Sequence, residues 1–152
     1  AVILGKHLAV VVFLSVLWAV VPIYGLTLEL LGVSPDWGQM ALGYLGAVLV
    51  SALFSALGMV ASALSSTPLL AAFLGFIFNI ALLVLPMGAG SLGGTVGRAL
   101  NALAGKLDVL THLQLSFMRG ALDSADVIFF LAWTGLFLFA ATRIVEGRRM
   151  WS

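Results

Sequence analysis

The side chains able to do chemistry are few and scattered. His7 and His112 are the only histidines, and cysteine is absent. Neither histidine has a second ligand at i+3 or i+4, the spacing a helical metal site needs, so no metal site is expected. Ser116 lacks the G-x-S-x-G setting of a nucleophile elbow, and no His–Asp partner is indicated for it. Asp123 and Asp126 form a carboxylate pair by spacing, yet a helix-capping role accounts for both. Gly88-Ala-Gly90-Ser-Leu-Gly93 matches G-x-G-x-x-G. A dinucleotide loop requires a preceding strand, and this one follows an apolar run of membrane length, so it reads as a loop. G-x-x-x-x-G-K-[ST] occurs nowhere, so the chain carries no P-loop of its own. No catalytic constellation and no cofactor site emerge.

Two polar features lie inside apolar stretches. Ser51, Ser55, Gly58, Ser62 and Ser65 recur at i, i+4, i+7, i+11 and i+14, one small-residue stripe along a helix. Close helix packing explains it better than a hydroxyl-lined pathway. Asn79 is the one amide at mid-helix depth, and an interhelical hydrogen bond is its favoured role over a substrate contact.

The elements that must position these residues follow from composition. Of the 152 residues, 62% are hydrophobic and 9% charged, against roughly 45–50% and 25% in soluble domains. A soluble domain this small exposes too much surface to hide that apolar content. The net charge of +1 offers no basic field for nucleic acid. The chain starts at Ala1 without a basic n-region or cleavage site. Its first apolar run therefore reads as a span rather than a signal peptide, and the natural N-terminus is expected to lie upstream.

Hydropathy then sets the spans at about 8–28, 38–64, 68–86 and 124–145. Between His7 and Glu29 lie 21 uncharged residues, with Pro22 expected to kink or end the helix near its far side. Ser34-Pro35-Asp36-Trp37 reads as an N-cap, a first-position proline, an acid facing the helix dipole and an aromatic anchor. From Trp37 to Gly97 no charge occurs over 61 residues, too long for one span. Ser65-Ser66-Thr67-Pro68 divides it, with Thr67 as cap, and Pro86 and Gly88 close the third helix. Residues 88–122 carry the periodic Leu100, Leu103, Leu107 and Leu110 opposite Arg98, Asn101, Asp108 and His112. That pattern predicts an amphipathic helix at the membrane interface, dipping partway in.

Asp123-Ser124-Ala125-Asp126 opens the last span as a capping box. Only 16 uncharged residues follow, to Thr142, about 24 Å of helix against a hydrocarbon layer of about 30 Å. Arg143 must snorkel, or Asp126 must sit in a wet or protein-lined recess. Lys6, Arg143, Arg148 and Arg149 fall on one side and Arg98, Lys106 and Arg119 on the other. This places both ends, with His7, on the cytoplasmic side.

The last third carries a resemblance. His112-Leu-Gln-Leu-Ser-Phe117-Met-Arg119-Gly120-Ala-Leu-Asp123-Ser-Ala-Asp126, then Thr134, Phe137-Leu138, Arg143, Glu146 and Arg148-Arg149-Met150-Trp151, resembles the C-terminus of ABC-2-type transporter permeases. The nearest subgroup is the gliding-motility-associated permeases, whose loop reads phenylalanine-arginine-glycine-x-x-aspartate and whose tail reads glutamate-x-arginine-arginine-tryptophan. Here Met118 separates Phe117 from Arg119, and Met150 precedes Trp151. Leu4-Gly5-Lys6-His7 is similar to the start of that family's third helix. Pro35-Asp36-Trp37-Gly38 with Gly43-Tyr44-Leu45-Gly46 is similar to its third-to-fourth junction.

The resemblance covers essentially the whole chain. It implies an all-α membrane protein forming the C-terminal part of a six-helix permease, working as a homodimer or heterodimer with cytoplasmic ATP-binding subunits in a bacterial inner membrane. The first two spans and the helix that contacts the ATPase would precede Lys6. The implied function is transport, most simply export, driven by a partner's ATP hydrolysis, with no enzymatic activity of the chain's own. The alternative is a non-transporting scaffold for a surface or gliding-motility assembly. Arg119, Gly120, Asp123 and Asp126 then mark the extracytoplasmic loop and the last cap.

Overall fold

A computed structural model describes residues 2–89, 98, 102, 105, 108–115, 117 and 123–149. Among these residues the regular elements are helices alone: α1 (Val2–Trp18), α2 (Val20–Leu30), α3 (Trp37–Leu64), α4 (Pro68–Ala89), α5 (Val109–Leu115) and α6 (Ser124–Arg149). Four stretches are long and apolar enough to cross a membrane: Val2–Leu30, Trp37–Leu64, Pro68–Pro86 and Ser124–Gly147.

Each boundary has a local cause. Pro22 has no N–H to give the Trp18 carbonyl four residues back, and its ring crowds that group. The turn tightens there, with Ala19 N bonding Val16 O at 3.1 Å, and α1 gives way to α2. The proline thus breaks the helix three residues before itself, and the chain stays helical to Leu30. Gly32 ends α2 at φ +81°, with its N–H on Glu29 O and the Val33 N–H on Leu28 O. This paired closure needs the left-handed backbone that glycine adopts without cost.

The cap of α3 is Asp36, not Ser34: its carboxylate accepts from Gln39 N at 3.0 Å. A carboxylate three residues before that donor caps it directly and meets the positive helix end, which leaves Ser34 and Pro35 outside the helix. At the next turn Thr67 Oγ1 accepts from Leu70 N at 3.3 Å, and Pro68 takes the first position of α4. Pro86 and Gly88 do not close α4, which runs on to Ala89. In a last turn, proline forfeits only one bond and keeps a helical φ.

α3 lies at the centre, with α1, α4 and α6 packed around it and α5 across α3 and α4. Leu49, Leu53 and Leu57 of α3 meet Leu82, Val109, Phe117 and Phe130 in one buried cluster. A Cβ on Gly75 would stand 3.8 Å from Ala61 Cβ and 3.9 Å from Gly58 Cα, so the α3 and α4 backbones run close together. Outward, Val12, Phe13, Val16, Ile23, Phe73, Phe76 and Ile80 are exposed. Such faces suit hydrocarbon, where helices associate through van der Waals packing and hydrogen bonds rather than through expulsion of water.

Most of the segment expected as an amphipathic helix lies outside the described residues, Leu100, Leu103 and Leu107 included. Its described end, α5 with Phe117, is packed on the bundle, with Val109 and Phe117 buried. α6 runs 26 residues, about 39 Å at 1.5 Å each. It continues through Arg143 and Glu146 into the turn holding Arg148 and Arg149. Arg143 is exposed, 4.9 Å over the Phe139 ring and 3.7 Å from Glu146.

Candidate functional site

Two polar clusters sit in this apolar frame. The first joins α1 to α3. Ser55 Oγ donates to Ala52 O at 3.0 Å and lies 3.1 Å from His7 Nδ1. A hydroxyl has one proton to give, so with Ala52 taking it the imidazole N–H donates to the serine oxygen. Trp18 Nε1 donates to Ser51 Oγ at 2.9 Å, and Tyr44 OH donates to Ser15 O at 2.9 Å. His7 is therefore a buried residue of the α1–α3 seam, whereas neighbouring Lys6 is exposed.

The small-residue stripe divides accordingly. Ser51 and Ser55 face α1, Gly58 adjoins Gly75 of α4, and Ser62 is exposed. Seven residues separate Ser55 from Ser62, about 10 Å of helix. His7, opposite Ser55, lies only five residues from the described start of α1. Asn79 forms its hydrogen bond within α4, Nδ2 to Gly75 O at 2.8 Å, while its buried Oδ1 makes none. An i−4 carbonyl is always in reach on the same helix, so an interhelical partner is not needed for that half of the amide.

The second cluster gathers at the start of α6. Asp123 caps the helix, its carboxylate accepting from Ala125 N at 2.9 Å. Asp126, read from sequence as a second capping acid, instead turns inward. It is 6% exposed and hydrogen-bonds His112 Nδ1 of α5. The imidazole stacks on Phe129 with centroids 4.2 Å apart and planes 21° apart, and Phe129 meets Phe130 edge-on. Asp108 caps α5, accepting from Thr111 N at 3.0 Å and from its hydroxyl at 2.6 Å.

An aspartate on Nδ1 fixes the imidazole's orientation and leaves Nε2 to exchange a proton or bind a ligand atom. Phe117 locks the same segment to α3. It covers Gly46 so closely that a Cβ there would lie 2.8 Å from the Phe117 Cβ and Cγ. Arg119 and Gly120 lie outside the described residues. No group of three metal-binding side chains forms among the described residues.

Sequence reasoning missed Trp18, Tyr44 and His112 as polar partners. Each pairs across 14 to 33 positions, beyond any local spacing rule. The one usable signal was Asp126 itself, an acid with too few uncharged residues after it.

These features define a class: a helical membrane protein with four candidate spans, a central third helix and a polar lock on its last one. Beyond that class the comparisons give no name, since no family model, curated protein or solved structure matches the chain.

Proposed function

We propose that the chain is a membrane-spanning permease subunit of an ABC-2-type transporter, moving its substrate with ATP hydrolysed on a partner subunit. The carrying observation is the ordered run from His112 through Asp126 to Arg148-Arg149-Met150-Trp151, which resembles that family's last loop, last helix and tail. Four candidate spans and the missing P-loop are compatible with it. On this reading both ends lie in the cytoplasm, the 65–68 turn shares that side, and α5 lies toward the outer face. The permease pairs as a dimer and engages its ATPase subunits from the cytoplasmic side.

The test is affinity purification of the full-length protein from its own cells, followed by ATPase assay in liposomes. A stoichiometric ATP-binding partner, with hydrolysis abolished by mutating that partner's P-loop lysine, is the expected result. A full-length protein that binds no such subunit overturns the proposal and leaves the scaffold reading.

A further inference from the structure

The pair that ties α5 to α6 is ionisable on both sides, with one side buried and the other open. Asp126 turns inward from the first turn of α6 and hydrogen-bonds His112 Nδ1. Its side chain is 8% exposed, and that of His112 is 32% exposed. Water therefore reaches the imidazole and scarcely reaches the carboxylate. Stacking on Phe129 and the bond to Asp126 together fix the ring.

Nδ1–H donates to the carboxylate whether the ring is neutral or charged, because the second proton goes to Nε2. The bond survives that protonation and changes only in strength. A neutral ring sets a dipole against the buried anion. A charged ring sets a full positive charge against it, and such N⁺–H···O⁻ bonds are the shorter and stronger kind.

The surrounding charges are placed as follows. α3 and α4, which α5 packs across, bring none, because the chain is uncharged from Trp37 to Gly97. Tyr44 of α3 gives its phenol proton to Ser15 O. Asp108 on α5 is turned to Thr111 N and Oγ1, and Asp123 before α6 is turned to Ala125 N. Arg143 and Glu146 belong to the opposite end of α6 and meet each other there. Lys106 and Arg119 lie outside the described residues.

We infer that His112 and Asp126 form a proton-sensitive latch, in which one proton taken up at Nε2 tightens the hold of α5 on α6. The carboxylate partner exists in the folded chain and is lost on unfolding. The extra hold is therefore present at low pH and fades as pH rises. Imidazoles exchange that proton between about pH 5 and 8. The inference needs no ATPase and stands apart from the transport proposal.

The test is reversible unfolding of the full-length protein in mixed micelles with rising SDS, at about pH 5.5 and about pH 8. The unfolding equilibrium constant should rise about fivefold from the lower pH to the higher, the upper end for an ion pair with one partner in water. His112→Gln keeps an amide N–H for the carboxylate but takes up no proton, so it should lose that rise. Asp126→Asn removes the anion and should lose it too, each variant being checked for unchanged helix content by circular dichroism. His7→Gln, which alters the α1–α3 seam instead, should keep the rise. A constant that is level or falls between the two pH values in the unsubstituted protein overturns the inference. So does a rise that persists undiminished in His112→Gln, or one that disappears in His7→Gln.

Discussion

Replacing His112 by leucine removes the imidazole while the Asp126 carboxylate, with an 8% exposed side chain, stays where it is. Replacing Asp126 by leucine does something milder, because His112 has a 32% exposed side chain and keeps its stacking on Phe129. Taking a hydrogen-bond donor from a buried carboxylate costs about 3 kcal/mol, the upper end for a buried polar group that loses its partner. Asp123 itself caps the helix, accepting from Ala125 N. We therefore expect about 3 kcal/mol lost for His112→Leu. The loss for Asp126→Leu should be about 1 kcal/mol, the net worth of one hydrogen bond whose surviving half can reach water. The double variant removes charge and partner together and should lose about 1 kcal/mol, since apolar replacement of a whole buried pair is often near neutral. The singles then sum to about 4 kcal/mol, giving a coupling of about 3 kcal/mol. Reversible unfolding in mixed micelles with rising SDS, followed by circular dichroism, measures all four corners of the cycle. Equal single losses, or a double loss equal to their sum, would refute the inward, buried placement of Asp126.

The glycines supply a matched pair. Gly46→Ala drives a Cβ to 2.8 Å from the ring root of Phe117 and should cost about 1–3 kcal/mol through overpacking, while speeding protease cleavage of the 88–122 segment. Gly25→Ala meets Met40 Cε and Sδ at the same 2.8 Å, but a methionine end can swing aside, so it should cost under about 1 kcal/mol in the same unfolding assay. Gly32→Ala must hold a φ of +81° and should lose about 1–2 kcal/mol. Ser55→Ala removes the His7 partner and should lose about 0.6 kcal/mol, the average for interhelical bonds in membranes; a bulky Ser55→Leu should lose more in the same unfolding assay.

The helices were readable because their causes are local. Thr67 before Pro68 and the uncharged run from Trp37 declare themselves within a few positions of where they act. Near misses were also local: Asp36 outcompeted Ser34 as a cap, and Pro86 was absorbed into a final turn. The polar clusters were not readable, for a different reason. Which carbonyl or hydroxyl stands opposite Trp18, Tyr44 or His7 depends on how far α1 slides along α3. That offset is fixed by packing along the whole seam, such as Met40 against Gly25, and by no spacing within either helix. Asp126 lies between these cases. Its sequence position announced a problem, an acid inside a short span, and offered two solutions. The structure takes the protein-lined recess and adds His112 as its wall.

Three polar side-chain bonds, from Trp18 to Ser51, from Tyr44 to Ser15 and between His7 and Ser55, join α1 to α3, whereas the buried contacts of α3 with α4 and α6 are made by Leu, Phe, Ala and Gly. In hydrocarbon that difference sets which seam gives way. Apolar seams between helices exchange contacts with lipid of similar cohesion, while a polar seam must leave donors without acceptors if it opens. Indole, phenol and imidazole bonds together therefore hold α1 and α3 as one unit. α6 is fastened at one end, through Asp126 and His112, to the segment that Phe117 pins on Gly46. A rearrangement of these helices that keeps those three bonds made moves α4 or α6 against a fixed α1–α3 pair.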